Sequence, residues 1–475
     1  MTGDRASKST MQTKDALLTR PTTVSARLDR LPPTRYFRGL IARISVGGWF
    51  EFFDLFMTAY ISLGLINAGI FSATTSGLFD WTGFASFIAS GFAGMFIGTV
   101  LLSGVSDRYG RKSTFVYSLF CYSIATLAMA FQRSAISLDL WRFIAGVGIG
   151  VQLITIDTYI SEMSPKQSRG HYISFSQCVS YCAVPAAAFA AYLLVPITFL
   201  GLDGWRWVVM IGALGAPTFL FISSHLPESP RWYEAQGRIQ EAQAAIDVIE
   251  AAVRSSLGRE LPPVQPETDN RPTVGSLSEI WSHDYLSRTV MLVIFNTFQT
   301  IGFYGFASWL PVFLMQQGIS FVHSLEYTFA IAIVNPLGPL ISMKFGDVLE
   351  RKWQIVGLAI ASAVFGVMFA QTRSPVLIVL FGSLITIANN WFSCAFHGYQ
   401  AELYPTRIRA KAVGFVYSWS RLSAIFVGFL MAALLRKFGT TGPFALIAVS
   451  MAIVAIVIAT MGPKSSGIAL EVLSR

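Results

Sequence analysis

Apolar residues fall in twelve runs, at about 38–66, 81–103, 113–132, 138–162, 171–199, 205–225, 286–315, 325–345, 353–371, 375–402, 411–435 and 441–461. A helix of about 20 apolar residues crosses a bilayer core of about 30 Å, and each run has that reach. The strict alternation of a membrane barrel strand is absent, and backbone in lipid must satisfy its own hydrogen bonds, so the runs read as helices. The pattern predicts an all-α integral membrane protein with twelve transmembrane helices in two six-helix groups, 36–225 and 286–461. Between them, residues 226–285 are polar and open with "LPESPRWYEAQGRIQEAQAAIDVIEAAVR", whose Ala, Ile and Val spacing predicts amphipathic helix before a Pro-rich stretch. Residues 1–35 lack the apolar core of a signal peptide and read as a disordered basic tail, and 462–475 as a short second tail.

Composition sharpens the membrane reading. Only 13% of the 475 residues are charged, 53% are hydrophobic and the mean hydropathy is +0.55, whereas soluble chains carry nearer a quarter charged residues. The four cysteines, Cys121, Cys178, Cys182 and Cys394, all lie in predicted helices and read as buried small apolar residues rather than a disulfide or metal set. The net charge of +9 does not point to nucleic acid, because the basic residues gather on one side of the predicted membrane. Short loops on that side hold Arg108, Arg111 and Lys112; Lys166 and Arg169; Lys344, Arg351 and Lys352; Arg407, Arg409 and Lys411. By the positive-inside bias this face is cytoplasmic, and twelve spans then put both termini and the long linker there too.

Two of these loops repeat each other. "GVSDRYGRK" (104–112) packs acids and bases between two greasy runs, and a worn copy, "GDVLERK", returns at 346–352. Asp107 precedes Glu162 by 55 residues, as Asp347 precedes Glu402, and Arg169 and Arg409 each lie seven beyond their Glu. Each member is offset from its counterpart by 240 residues. Fused repeats of membrane helices are the mark of alternating-access transporters. Asp107 suits a helix dipole or an Arg; Arg108, Arg111 and Lys112 suit carboxylates; Glu162 and Arg169 are expected partners; Gly110 permits a tight turn. Positive-inside anchoring alone would need neither the acids nor the repetition.

These motifs, with "RFIAGVGIG", "EMSPKQSRG", "PESPRWY" and "AELYPTRIRA", resemble the major facilitator superfamily from about residue 36 onward, and within it the sugar-porter branch and its metabolite–proton and aromatic-acid–proton relatives. The resemblance implies two pseudo-symmetric bundles and a cytoplasmic gate that latches and parts during transport. Its residues would be Asp107, Arg108, Gly110, Arg111, Lys112, Glu162, Arg169, Glu228 and Arg231 in the first half and linker. In the second half they would be Asp347, Arg351, Lys352, Glu402, Arg407 and Arg409.

Ionisable groups inside membrane helices are costly and mark function. Glu51 and Asp54, in "GGWFEFFDLFMTAY", share one helix face, and Asp54 lies about 24 Å along the axis from Arg38. Arg142 opens "RFIAGVGIG" as the expected counter-ion. Asp54 is expected to carry a proton, assisted by Glu51 and balanced by Arg142; the resemblance implies the same, and a permanent Asp54–Arg142 bridge is the structural alternative. Asp157 and His397 occupy equivalent places in the two halves, each five residues before Glu162 and Glu402. They read equally as a gate or proton exit and as solvated helix ends. Candidate substrate contacts at mid-depth are Gln177, Asn296, Gln299, Tyr304, Trp309, Asn389, Asn390 and Trp391, an amide-and-aromatic set suited to a hydroxylated or carboxylated small molecule. Helix–helix hydrogen bonding explains any one of them alone equally well.

Sugar porters would show paired glutamines before Gly-Ile-Asn in the seventh helix, where this chain has Phe298-Gln299 and "TIGFYG"; "SWLP" is closer to the organic-acid relatives. No H-E-x-x-H, Walker or G-x-S-x-G run appears, which speaks against a membrane enzyme and direct ATP coupling. The reading is therefore a proton-driven importer of a small polar metabolite, an organic acid before a sugar, in a plasma membrane, expected to be a bacterial inner membrane. Its expected partners are substrate, protons and lipid, with no cofactor, nucleic acid or obligate protein. A sugar facilitator, a proton-antiport drug exporter and a non-transporting sensor are the alternatives.

Overall fold

The computed structural model describes residues 23–75, 77–102, 104–218, 226–264, 276–345, 348–405 and 407–464. Eight helical stretches among them are long and apolar enough to cross a membrane. The remaining spans fall short of that pattern for visible reasons: Arg35–Tyr60 carries buried charges, and Phe84–Leu101, Arg111–Met129 and Gly204–Ala213 are shorter or begin in polar residues.

In chain order the first half comprises α1 (Val24–Asp29), α2 (Arg35–Tyr60), α3 (Ser62–Asn67), α4 (Phe84–Leu101), α5 (Val105–Tyr109), α6 (Arg111–Met129), α7 (Ala135–Met163), α8 (Arg169–Tyr181), α9 (Ala183–Leu194) and α10 (Gly204–Ala213). A two-residue hairpin, β1 (Thr198–Phe199) and β2 (Leu202–Asp203), precedes α10. The linker holds α11 (Pro230–Ala235) and α12 (Ile239–Leu257). The second half comprises α13 (His283–Gln316), α14 (Phe321–Ala332), α15 (Leu337–Phe345), α16 (Arg351–Gln371), α17 (Pro375–Glu402), α18 (Arg409–Phe438) and α19 (Thr441–Met461). Spans one, five and eight are the joined pairs α2–α3, α8–α9 and α14–α15, so the twelve-helix architecture is present.

Without a hydrophobic drive between helices in lipid, small residues must let backbones approach. The α4–α7 crossing uses this rule throughout. A Cβ on Gly94 would lie 2.1 Å from the Phe143 carbonyl oxygen, one on Gly98 2.2 Å from that of Val147, and one on Gly146 2.3 Å from that of Gly91. The halves meet where α2 packs on α13, α4 on α18 and α9 on α14.

The halves are closed at one end and parted at the other. At the end far from the basic loops, Trp309 and Phe84 are fully buried against each other, Phe79 packs on Phe426 and Phe429, and Arg436 Nη1 donates to the Thr75 carbonyl at 2.7 Å. At the basic end no ion pair between described residues joins the two halves. Asp157 and His397, one or two turns inside their helices, are solvent-exposed there.

Two expectations change. Residues 23–34 are not a disordered tail. Thr23 caps α1 by accepting the Ala26 N–H, and α1 clasps the linker through Arg27 to Asp247 (2.6 Å) and Glu250 (2.7 Å), Arg30 to Glu250 (2.7 Å), and Asp29 to Arg231 (2.6 Å). The amphipathic α12 buries Ala242, Ile246, Ile249 and Val253 beneath this clasp, so the linker bundle rides on the first half. The four cysteines are free thiols but not buried ones: Cys121 and Cys182 are exposed, and Cys178 and Cys394 are half-buried.

Candidate transport site

The unusual residues of the core are charged. Asp54, with 0% exposure, accepts hydrogen bonds from Arg142 Nη1 (2.7 Å) and the Thr126 hydroxyl (2.8 Å), while Arg142 Nη2 reaches the Asp54 carbonyl at 3.2 Å. The Phe87 ring lies 5.8 Å from the guanidinium. One turn nearer the basic face, Glu51 is 1% exposed, and its Oε1 has no partner. Its charged neighbours are Asp157, Asp54 and, from the opposite half, Arg421.

Arg421, on α18, is 2% exposed. Its Nη1 donates to the Tyr304 hydroxyl (2.8 Å), its Nη2 to the Tyr417 hydroxyl (2.9 Å), and its Nε has no partner. No carboxylate pairs with it among the described residues. His397 joins this wall: its Nδ1–H donates to the Ser393 carbonyl (2.7 Å), and its ring stacks on Phe396 and meets Tyr417 edge-on at 5.3 Å. One wall of the central space is thus acidic, from Glu51 and Asp157, and the other cationic and phenolic, from Arg421, Tyr304 and Tyr417. A small anion entering from the basic face would meet a desolvated guanidinium with donors to spare, which is a strong recognition element for a carboxylate.

A sequence model described as "Sugar (and other) transporter" matches residues 41–475. The chain belongs to this family. The putative metabolite transport protein YyaJ of Bacillus subtilis is 30% identical over 442 residues, covering 93% of this chain and 95% of that one. The niacin transporter NiaP of Acinetobacter baylyi is 28% identical over 447 residues, covering 94% and 98%. Among solved structures, a partially occluded inward open conformation of the xylose transporter XylE from E. coli superposes with a TM-score of 0.74 at 18% identity, over 91% of this chain and 99% of that one. That likeness concerns the fold, and it agrees with the major facilitator architecture.

In this transporter the expected substrate contacts separate into three groups. Tyr304 lines the central space on Arg421, and Gln177 is half-buried on α8, one turn before the buried Tyr181. Asn296, Gln299, Asn389 and Asn390 are buried and mostly engaged within their own half. The Asn296 amide donates to the Leu292 carbonyl (2.9 Å), Gln299 to Thr300 (3.1 Å), and Asn390 to the Asn335 side chain (2.9 Å); Asn389 accepts from Ser362 (2.8 Å). Asn389 and Asn390 also line a small cavity with Tyr60 and Phe306. The two tryptophans stand apart from the site. Trp309 plugs the far end against Phe84 and Phe313, and Trp391 donates to Gln354 (3.1 Å) at the basic end of α16.

The gate residues form one cluster per half. Arg111 binds Glu162 (2.8 Å), Asp107 (2.6 Å) and the Ser106 hydroxyl (2.7 Å); Arg351 binds Glu402 (2.5 Å). The two Arg–Glu pairs are themselves 240 residues apart, so the repeat is a repeat of contacts. Glu162 therefore pairs with Arg111 and not with Arg169, the expected partner; Arg169 has Glu162 and Asp29 only as charged neighbours. Glu228 caps α6 by accepting the Arg111 (2.9 Å) and Lys112 (3.1 Å) backbone N–H groups. Gly110 is required there: its φ is +99°, and a Cβ would fall 2.4 Å from the Glu228 carboxylate. Arg108 and Lys352 lie over the rings of Tyr109 and Trp353, Arg231 binds Asp29, Arg407 binds Glu279 (3.0 Å), and Arg409 Nε donates to the Tyr404 carbonyl (3.1 Å). Asp347 lies outside the described residues.

Sequence reading missed Arg421. The signal was available, since it is a lone cation inside the 411–435 run, and the rule that singled out Asp54 applies to it equally.

Proposed function

We propose that this transporter is a proton-coupled symporter that imports a small organic acid through the plasma membrane, with its basic face and both termini in the cytoplasm. Arg421 carries the substrate half of the reading. A buried guanidinium hydrogen-bonded only to two phenols, with Glu51 as a charged neighbour but no carboxylate in contact among the described residues, has room for a substrate carboxylate to pair with it directly. Relatives named for niacin and solved neighbours named for xylose span both acid and sugar, so the chain's own Arg421 favours the acid. Asp54, sealed against Arg142 and Thr126, supports the proton half: protonating it releases Arg142, and the change in pairing gives the two halves a reason to move. Asp157 and His397 line the inner opening, where a proton and substrate would leave together. The Arg–Glu clusters would hold the inner ends of the spans when the halves close there.

The test is Asp54→Asn in liposomes. Uphill uptake of an organic acid driven by a pH gradient is expected to vanish while exchange of labelled acid across the membrane continues. Uphill uptake at the wild-type level would remove Asp54 from the coupling step.

A further inference from the structure

One buried carboxylate has no role in the site above. Asp139, on the first turns of α7 near the far face, is 4% exposed, and neither carboxylate oxygen has a hydrogen-bond partner. Its polar neighbour across the α4 contact is Ser86, whose hydroxyl is directed at the Gly83 carbonyl at 2.9 Å. Three residues on, about 4.5 Å along the helix axis and on the same face, stands Arg142. Arg142 is fully committed on one side only. Both Nη atoms point to Asp54, whereas Nε has no partner and passes Gly91 of α4, where even a Cβ would come within 3.0 Å. A cavity with room for water lies beside it, lined by Gly91, Ile88, Thr58 and Tyr304.

The charge balance of this group is decisive. Two carboxylates and one guanidinium, all buried, would carry a net negative charge at the far end of the membrane core, which is strongly unfavourable. One proton makes the trio neutral. Asp54 has the Arg142 guanidinium in contact, whereas Asp139 has only the Ser86 hydroxyl as a polar neighbour and no cation in contact among the described residues, so Asp139 is the member that holds the proton. From the other packed elements, α2 adds the buried Glu51, a charged neighbour of Asp54 whose own cationic neighbour is Arg421 of the opposite half; α4 offers Ser86, and α6 the uncharged Thr126 and Tyr122. On α10, Arg206 is occupied by the Ala130 and Gln132 carbonyls, both at 2.7 Å.

The geometry points to Asp139 as the far-side station of the proton path, sharing one proton with Asp54 around Arg142. This rests on the symport reading. The proton leaves a carboxyl oxygen of Asp139 and binds an Asp54 carboxylate oxygen, carried by water that must enter from the cavity beside Arg142, whose lining includes neither carboxylate. The Arg142 guanidinium moves the opposite way, from Asp54 to the newly formed Asp139 carboxylate. One O–H bond breaks and one forms, and the trio is neutral before and after. Asp139 is thus the next proton site on the far side of Asp54, its own carboxylate closed to solvent in this conformation.

Infrared spectroscopy of the purified full-length transporter, labelled with 13C-carboxyl aspartate, tests this without any substrate. Near neutral pH the wild type is expected to show a protonated-aspartate C=O band that shifts on H2O/D2O exchange. Asp139→Asn is expected to lose it, and Asp139→Glu to lose its isotope-labelled component while gaining an unlabelled one. Asp54→Asn is expected to lose it as well, because Arg142 then ionises Asp139. A band unchanged in Asp139→Asn overturns the proposal, and so does a band that persists in Asp54→Asn, which would mean a proton fixed on Asp139 and not shared. Failure of the symport reading shows separately, as proton-independent uptake by the wild type.

Discussion

The α4–α7 crossing offers a prediction whose sign and size follow from distances. Gly94→Ala places a methyl 2.1 Å from the Phe143 carbonyl oxygen and 2.8 Å from the Val147 nitrogen. Both are backbone atoms of a buried helix, so no side chain can swing aside, and the helices must separate by roughly an ångström to restore contact near 3.4 Å. Overpacking of this kind costs about 1–3 kcal/mol. Gly39, on α2, has nothing within 4 Å of its added Cβ, so Gly39→Ala should gain about 0.5–1 kcal/mol of helix propensity and lose nothing. The two identical changes should therefore move thermal unfolding in detergent in opposite directions. Phe143 adjoins Arg142, so Gly94→Ala should also lengthen the Arg142–Asp54 contact and depress pH-driven uptake more than exchange. A Gly94→Ala protein as stable as Gly39→Ala would refute the close crossing and the placement of Arg142 that depends on it.

Arg111→Gln and Arg351→Gln, which break equivalent pairs in the two halves, should each destabilise by about 1–3 kcal/mol; a loss confined to one of them in thermal unfolding would contradict the repeat of contacts. Arg421→Gln should weaken stabilisation by organic acids about tenfold to a hundredfold in ligand concentration, the worth of charged hydrogen bonds, and Arg421→Lys should recover part of it; equal response of all three proteins would sink the carboxylate assignment. At Glu250 burial works against the carboxylate, but the hydrogen bonds and charges of Arg27 and Arg30 prevail and hold its pKa below the usual 4.5. The clasp on α1 is therefore at full strength above that pH and weakens as pH falls through the depressed value. Amide exchange over 24–31 should rise only on acidification, after correction for intrinsic rates, and a rise on going alkaline would refute the linkage.

Much of the fold was legible because membrane helices write long unbroken runs, and a duplicated unit writes its charged loops twice. The 240-residue offset matched Glu162 to Glu402, and the repeated charged loops marked Arg111 and Arg351 as gate residues in advance. Neither gave their pairing, because spacing shows which loops face one membrane side and not which side chain turns to which. Asp54 and Arg142 could be matched because they are charges of opposite sign well inside two greasy helices. Arg421 carried the same signal and went unread, while Asp139 sat too near a run's edge to stand out from an interfacial residue. Trp309 and Trp391 show the limit from the other side: an aromatic at mid-run looks the same whether it lines a path, plugs one end or packs on a neighbour. The α1 clasp was invisible because a short polar segment folds there only against α12, and its partners lie more than 200 residues away.

The central claim is that protons and an organic acid cross together. The measurement that addresses it most directly is proton flux in liposomes carrying an internal pH dye, with aromatic and aliphatic acids, sugars and polyols added outside in turn. Acidification of the lumen on adding acids, absent with sugars and lost in Asp54→Asn, is the predicted result. Labelled solutes that equilibrate with no pH change, or acidification driven by sugars alone, would contradict it.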